Sequence, residues 1–280
     1  MSYTASSTED RKLHDKYHRQ NTEGFDVGKE FVARSLPEKV FEGVREGDAI
    51  CEVDCFDNHH RRKKAQTVLE VVQRELGAVE IEEKKLWDRN VDKEPMFRAY
   101  MYIRGTKCVG FLLVEPIKEA RRVVEPVGVK KTAAKAGAQG RTAAEALKAR
   151  KRAVEEAEKL AASEPIQLAK QAHRASLGVS RIWTSPNFRH QNIASSLLDT
   201  AVKHHEQERK HAVSSEGDSG NEGKRQSPSA GRTGVVEQDV GSIEEIRGKK
   251  DVAFSQPTES GARLARWWFG RLYGWSVYVD

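Results

Sequence analysis

The chain is poor in the residues that staple small secreted domains. Its only cysteines are Cys51, Cys55 and Cys108, too few for a disulfide framework, so a reducing interior, cytosol or nucleus, is expected. No apolar run approaches the length of a membrane span, and no secretory hydrophobic region opens the chain, so no membrane role is expected. Aromatics are 7% and hydrophobic residues 38% of 280 positions. That is too little apolar matter for the whole chain to enter a core. What the chain has in quantity is charge: 32% of residues, a formal net charge of +6, a pI near 9.1 and a mean hydropathy of −0.70. A basic balance fits work near DNA or chromatin, so direct nucleic-acid binding is an open expectation.

The shortage of apolar residues is localised. Residues 126–165 are rich in Ala, Lys, Glu and Gly and read as a flexible surface insertion, within which Thr142 to Ala162 could form one exposed helix. Residues 207–249 include SSEGDSGNEGKRQSPSAGRTG, dense in Ser and Gly and without aromatics, and read as a disordered insertion. Lys130-Lys131 and Lys224-Arg225 with Arg232 read as nuclear-import or solubilising charge.

The richest stretch runs from Gly178 to Asp199. Gly178-Val-Ser-Arg-Ile-Trp-Thr184 alternates β-branched and aromatic residues, as a strand does. Pro186 and Asn187 break it. Ile193, Leu197, Leu198, Ala201 and Val202 then recur at helical spacing. Between strand and helix lies a short basic loop, Arg189-His190-Gln191-Asn192. A helix N-terminus offers unpaired N–H groups and partial positive charge, so this loop suits a pyrophosphate.

Elsewhere, Ser6-Ser7-Thr8-Glu9-Asp10 caps a helix through Leu13 and Tyr17. It carries His14 and His18 four residues apart, half of a Cys2His2 zinc site on spacing, or two ordinary solvated histidines. Residues 49–56 read as a strand with Cys51, Val53 and Cys55 on one face; buried thiols are favoured there over a metal site with His59 and His60. Residues 61–77 form an amphipathic helix ended by Gly77, with Arg61-Arg62-Lys63-Lys64 read as a solvated face. Strands at 97–104 and 107–115 flank a Gly105-Thr106 hairpin, and Arg122 to Val124 forms a further short strand. Val252-Ala253-Phe254 is a strand, Ser255 to Thr258 a turn, Ser260-Gly261 opens a helix through Trp267, Trp268 and Leu272, and residues 275–279 form a terminal strand. Trp183 is expected in the core. Trp267 and Trp268 cannot both be there, and one should line a cofactor or substrate surface.

This element order resembles the N-acetyltransferase fold: α+β, GNAT-type, with a central splayed mixed sheet flanked by helices. Its acyl-CoA signature, Arg/Gln-x-x-Gly-x-Gly/Ala, is met by Arg189, Asn192 and Ala194, with Asn in place of the first Gly. Two blocks, Gly178 to Trp183 with its basic loop and Val252-Ala-Phe-Ser-Gln-Pro-Thr-Glu-Ser-Gly261 with Leu264-Ala265, resemble the Eco1/ESCO family of sister-chromatid cohesion acetyltransferases, fungal type. Met1 to His18 is similar to the tail of that family's zinc finger. The resulting division is a partial zinc-finger tail at 1–25, the first half of the acetyltransferase domain at 26–125, the insertion at 126–165, an acetyl-CoA-binding core at 166–206, the second insertion at 207–249 and the domain's end at 250–280.

The resemblance implies a nuclear, chromatin-associated enzyme that moves acetyl from acetyl-CoA to lysines on the ATPase head of a cohesin SMC subunit. It implies His14 and His18 as zinc ligands if a Cys pair lies upstream of Met1. Ile182, Trp183, Thr184 and Arg189 through Ser195 (His190, Gln191, Asn192, Ile193, Ala194) would bind cofactor, with Ser255, Pro257, Thr258, Ser260, Gly261 and Leu264 from the second block. Ser180, Asp199 and Gln256 would be the catalytic set. The family often has Asp where this chain has Gln256, and Gln cannot act as a base. A general acetyltransferase of other substrates, or an inactive chromatin-binding module that keeps only the fold, are the competing expectations.

Overall fold

The computed structural model describes residues 8–91, 93–125, 148, 152, 165–216 and 248–279. Its elements, in chain order, are α1 (Thr8–Glu23), β1 (Phe25–Asp26), α2 (Glu30–Ala33), β2 (Val40–Glu42), β3 (Asp48–Val53), α3 (His59–Leu76), α4 (Glu83–Leu86), β4 (Arg98–Arg104), β5 (Lys107–Pro116), β6 (Glu119–Val123), β7 (Leu168–Arg174), β8 (Leu177–Thr184), α5 (Ile193–Glu216), β9 (Val252–Ser255), α6 (Glu259–Phe269) and β10 (Ser276–Tyr278). They fall into two compact units, residues 1–116 with 179–252 and residues 117–178 with 253–280.

In the first unit the strand order is β2-β3-β4-β5-β8, and β1 pairs with β5. The pairings β2 to β5 are antiparallel. Gly105, at φ +61°, makes the expected hairpin between β4 and β5. Register fixes the two faces of this sheet. Cys51, Met101 and Phe111 lie in line, as do Val53, Ala99 and Leu113. They join Val68, Leu69, Val72 and Trp183 in a core under α3. The opposite face carries Tyr102 beside Gly110, and here α5 lies down: a Cβ on Gly110 would be 2.6 Å from Ile193 Cγ2. Gly110 is therefore what admits the helix so close to the strand.

α3 starts two residues earlier than its periodicity suggests. Asn58 is its N-cap, accepting from Arg61 N at 3.0 Å, and Gly77 closes it at φ +60°. Arg61 corrects the expectation of a solvated face. It is 4% exposed, lies 4.6 Å from the Phe31 ring centroid, and bonds Asp57 (2.7 Å), Phe31 O (2.9 Å) and Glu52 O (3.1 Å). β3 stops at Val53, so Cys55 falls in the following turn. All three cysteines are buried free thiols.

α5 also corrects an expected boundary. It continues through 207–216, residues assigned above to the second insertion. The helix needs no apolar stripe there because ion pairs tie it down: Arg98 Nη1 to Glu208 at 2.7 Å and Arg209 Nη1 to Asp251 at 3.1 Å. Residues 217–247 of that insertion, and most of 126–164 with the exposed helix expected in it, lie outside the described residues.

The second unit has strand order β9-β10-β6-β7, with β9 and β10 parallel and the other pairs antiparallel. β7 was not anticipated, because LAKQAHR shows no clean alternation. α6 is capped by Thr258, whose side chain accepts from Gly261 N, and ends at Gly270 with φ +65°. It buries Ala262, Ala265 and Trp268 and leaves Trp267 62% exposed. Among the described residues no helix is long and apolar enough to cross a membrane.

Candidate functional site

The strand β8, the turn after it and the start of α5 form one continuous feature in the first unit. β8 alternates: Trp183 is buried in the α3-side core, so Ser180, Ile182 and Thr184 belong to the opposite face, the one α5 covers. The indole N–H of Trp183 donates to Glu75 on α3. Trp183 is thus in the core, as expected, and its backbone is what remains for a ligand.

Ser185 ends the strand. Its N–H donates to Val109 O at 2.9 Å and its hydroxyl to Thr22 O at 2.7 Å. The loop then turns through two left-handed residues, His190 and Asn192, both at φ +61°. Asn192 stands where the signature has its first glycine. Left-handed backbone is the reason glycine serves there, and Asn is the side chain that tolerates it best. The departure in sequence thus preserves the backbone path.

Arg189, His190 and Asn192 are exposed around the helix start, and Arg189 Nε donates to Thr184 O at 3.3 Å. Gln191 is turned away from them. Its Oε1 accepts from Arg104 at 2.9 Å and its Nε2 donates to Asn187 O at 3.3 Å. Arg104 in turn is spent on Asp48 at 2.7 Å, which holds the Asp48 carboxyl below its usual range against the cost of burial. Ile193 points into the core under α5, and Ser195 Oγ donates back to Asn192 O at 3.1 Å. The side chains of Gln191, Ile193 and Ser195 are therefore committed to the fold. What these residues, with Ala194, can present is the ring of N–H groups that begins every α-helix, next to the exposed Arg189.

Ser180 is 7% exposed. The Arg181 guanidinium donates to Ser180 O at 2.8 Å and lies 3.4 Å from its Oγ. A cation against the hydroxyl oxygen leaves the O–H as the group free to donate. Asp199, two turns into α5, is half-buried. Gln256 lies in the second unit, exposed, at φ +23°. Ser255, Pro257, Thr258, Ser260, Gly261 and Leu264 are in that unit too. The Thr258 hydroxyl oxygen accepts from Gly261 N at 3.2 Å as the helix cap. His14 is exposed on α1, 3.6 Å from Asp15; the His18 side chain lies outside the described residues.

Sequence reasoning missed a second polar cluster, on the α5 face farther along the helix. Glu52 is 1% exposed, with Arg98 Nε at 3.4 Å and His204 Nδ1 at 3.5 Å. His204 Nδ1 is also 2.9 Å from the Tyr100 hydroxyl. Burial pushes the Glu52 carboxyl up to about 7 despite Lys39 and Arg98, and pushes His205 down to about 4. Glu52 alternates with Cys51 and Val53 along β3, and that alternation was the only signal of its burial.

A mixed sheet flanked by helices, with a basic strand–loop–helix at its middle, is the architecture of an N-acetyltransferase. The model for the ESCO1/2 acetyl-transferase family matches residues 173–221 and 242–278, the two blocks singled out in the sequence. In these blocks the chain is similar to the Eco1/ESCO family. It is 28% identical over 205 residues to the N-acetyltransferase eso1 of Schizosaccharomyces pombe, covering 72% of this chain. That segment spans 19% of the relative's own length. Two solved structures of the xEco2 acetyltransferase domain, one bound to a CoA conjugate, align with 86% of this chain and 96% and 95% of theirs, at TM-score 0.47 and 22% and 23% identity.

Proposed function

We propose that this chain is an acetyl-CoA-dependent protein-lysine N-acetyltransferase acting in the nucleus on the ATPase head of a cohesin SMC subunit, as part of sister-chromatid cohesion in S phase. The observation that carries the reading is Asn192: a non-glycine residue held left-handed at the glycine position of the acyl-CoA signature, inside the segment that matches the family.

The residues present suit the cofactor. Arg189 and the first N–H groups of α5, from Ile193 to Ser195, would hold the pyrophosphate. Acetyl-CoA, when bound, supplies the thioester carbonyl. Backbone N–H groups of β8 near Ile182 are the donors available to a developing oxyanion. A lysine amine has a reference pKa near 10.4, so reaching the neutral nucleophile at pH 7.4 costs about 4 kcal/mol. A positioned acceptor offsets much of this. Gln256 cannot accept that proton. Asp199 is the carboxylate on the central helix, and Ser180, its oxygen held by Arg181, orients an amine or a water by donating its O–H.

The test is incubation of the chain with labelled acetyl-CoA and a cohesin SMC head domain. Transfer to head lysines, lost in Asp199→Asn and weakened through cofactor affinity in Arg189→Glu, supports the reading. Bound CoA without transfer to any protein would instead support an inactive chromatin-binding module. Undiminished CoA affinity in Arg189→Glu would show that the cradle is misplaced.

A further inference from the structure

The cradle loop holds a conformation that its own residues do not favour. His190 and Asn192 are both left-handed, at φ +61°, and they flank Gln191. Left-handed backbone is unfavourable for a residue with a Cβ, and two such residues in three positions persist where the surroundings hold them. The ends of the loop are fixed, Ser185 by Val109 O and Thr22 O, and Ile193 by the core. Between these ends, Phe188 N–H donates to Ser185 O at 2.8 Å, Arg189 N–H to Pro186 O at 3.4 Å and Gln191 Nε2 to Asn187 O at 3.3 Å. Those bonds are local to the loop.

A hold from outside comes from the end of β4, 87 positions earlier in the chain. Arg104 Nη1 donates to Gln191 Oε1 at 2.9 Å, and the guanidinium carbon lies 5.3 Å from the Phe188 ring centroid. One cation thus bears on the loop on both sides of Arg189 and His190. Its direction is set from behind. Asp48 stands opposite Arg104 in the β3–β4 register and accepts from Nε at 3.0 Å and from Nη2 at 2.7 Å, a two-pronged grip that leaves Nη1 for the loop. Asp48 is itself steadied by the Tyr102 hydroxyl, which donates to it at 2.7 Å and accepts from Val44 N–H at 2.8 Å. A guanidinium has no acceptor, so the Gln191 amide must turn its oxygen to Arg104 and its NH2 to Asn187 O. That is the arrangement present. Asp48 also balances the charge of Arg104, which suits the pair to shaping the loop rather than to binding a phosphate.

We propose that Arg104, aimed by Asp48, is a positioning residue for cofactor binding: through Gln191 and Phe188 it holds the 186–192 loop in the shape that presents Arg189 and the first N–H groups of α5 to the pyrophosphate. The proposal rests on the acetyl-CoA reading of that loop and does not make Arg104 a cofactor contact.

The test compares the parent chain, Arg104→Lys, Gln191→Leu and the double variant. Hydrogen exchange of the Phe188 amide is measured without cofactor, and CoA affinity by titration calorimetry. Arg104→Lys keeps the charge and loses the fork, since one ammonium cannot grip Asp48 in two places and still reach Gln191. It should speed exchange of the Phe188 amide and raise the Kd for CoA, each about 5- to 20-fold. Gln191→Leu leaves the Asp48 pair untouched, so the protein should fold as the parent does; exchange and Kd should rise about 2- to 10-fold, because the Phe188 contact remains. The double variant should be no worse than Arg104→Lys alone, since Arg104 acts through Gln191. A β3–β4 ion pair that served stability alone would leave the two changes independent. Parent-like exchange and affinity in both single variants overturn the proposal, and so do losses that multiply in the double variant. A parent chain without CoA affinity would defeat the cofactor reading of the loop, while exchange of the Phe188 amide confirms or overturns the hold by Arg104 on its own.

Discussion

Gly110→Ala probes the seat of the cofactor cradle. The added methyl would lie 2.6 Å from Ile193 Cγ2, 3.1 Å from Tyr102 Cβ and 3.2 Å from Leu197 Cδ1. None of these is the loose end of a long side chain, and Tyr102, Ile193 and Leu197 are all essentially buried. Overpacking of this kind costs about 1–3 kcal/mol. The lower entropy of an unfolded alanine returns roughly 0.4–1 kcal/mol. The net loss should be about 1–2 kcal/mol, or roughly 3–8 °C in Tm for a domain of this size. Ile193 is the first residue of α5, so the helix start must move to accept the methyl, and acetyl-CoA affinity should fall along with stability. Ile193→Ala alone leaves a cavity and should cost about 2–5 kcal/mol. In the double variant the new methyl occupies that cavity, so the two losses should couple favourably by about 0.5–3 kcal/mol. Calorimetric melts of the four proteins, with CoA titrations, read the cycle. A Gly110→Ala protein as stable as the parent, or strictly additive losses, would refute the claim that this glycine admits the helix.

Asn192→Gly should change stability by less than about 1 kcal/mol and keep CoA binding, whereas Asn192→Val, forced into left-handed backbone, should cost about 1–2 kcal/mol; thermal melts with CoA titration decide. Glu52→Gln tests the buried carboxylate. Because its folded pKa of about 7 lies above the ordinary value of 4.5, native Glu52 binds a proton that the unfolded chain releases, so its contribution falls as pH rises from 4.5 to 7 and is flat above. Relative to wild type, Glu52→Gln should therefore gain roughly 3 kcal/mol across that window. The comparison must be made against wild type at each pH, since His205, lowered to about 4, contributes in the opposite direction between 4 and 6.5; denaturant midpoints that shift in parallel for both proteins would exclude a buried acid. Arg61→Met removes the partner of Asp57, Glu52 O and Phe31 O and should cost about 3–5 kcal/mol, read as a fall in the urea midpoint; a change below about 1 kcal/mol would mean that Arg61 is a surface charge after all.

The main elements were legible wherever a local rule operates. The α3 stripe of Ala65, Val68, Leu69 and Val72, the Gly77 stop and the Gly105 turn follow from helical spacing and from the backbone that glycine alone takes easily. The strand–loop–helix at 178–199 and the turn before α6 follow in the same way. The short strands β1 and β2 and the polar strand β7 carry no such pattern; they are strands because a neighbour's edge offers hydrogen bonds. The polar end of α5 is helical because Arg98 and Asp251 are there to pair with it.

The candidate site divides along the same line. Sequence alone determined which residues could form a phosphate cradle, that Asn192 takes the place of a glycine, and that one of two adjacent tryptophans had to be outside. Only the tertiary structure decided that Trp267 is the exposed one, that Trp183 is held by Glu75, and that Gln191 faces Arg104 instead of a ligand. Only it, too, placed Glu52 and Arg61 out of water. The physical reason is one of range. Helical and strand periodicity, capping and left-handed turns act over a few residues and are written in the chain. Burial, and with it the protonation of an acid or the fate of a cation, depends on partners 30 to 150 positions away, such as Phe31 for Arg61 and His204 for Glu52.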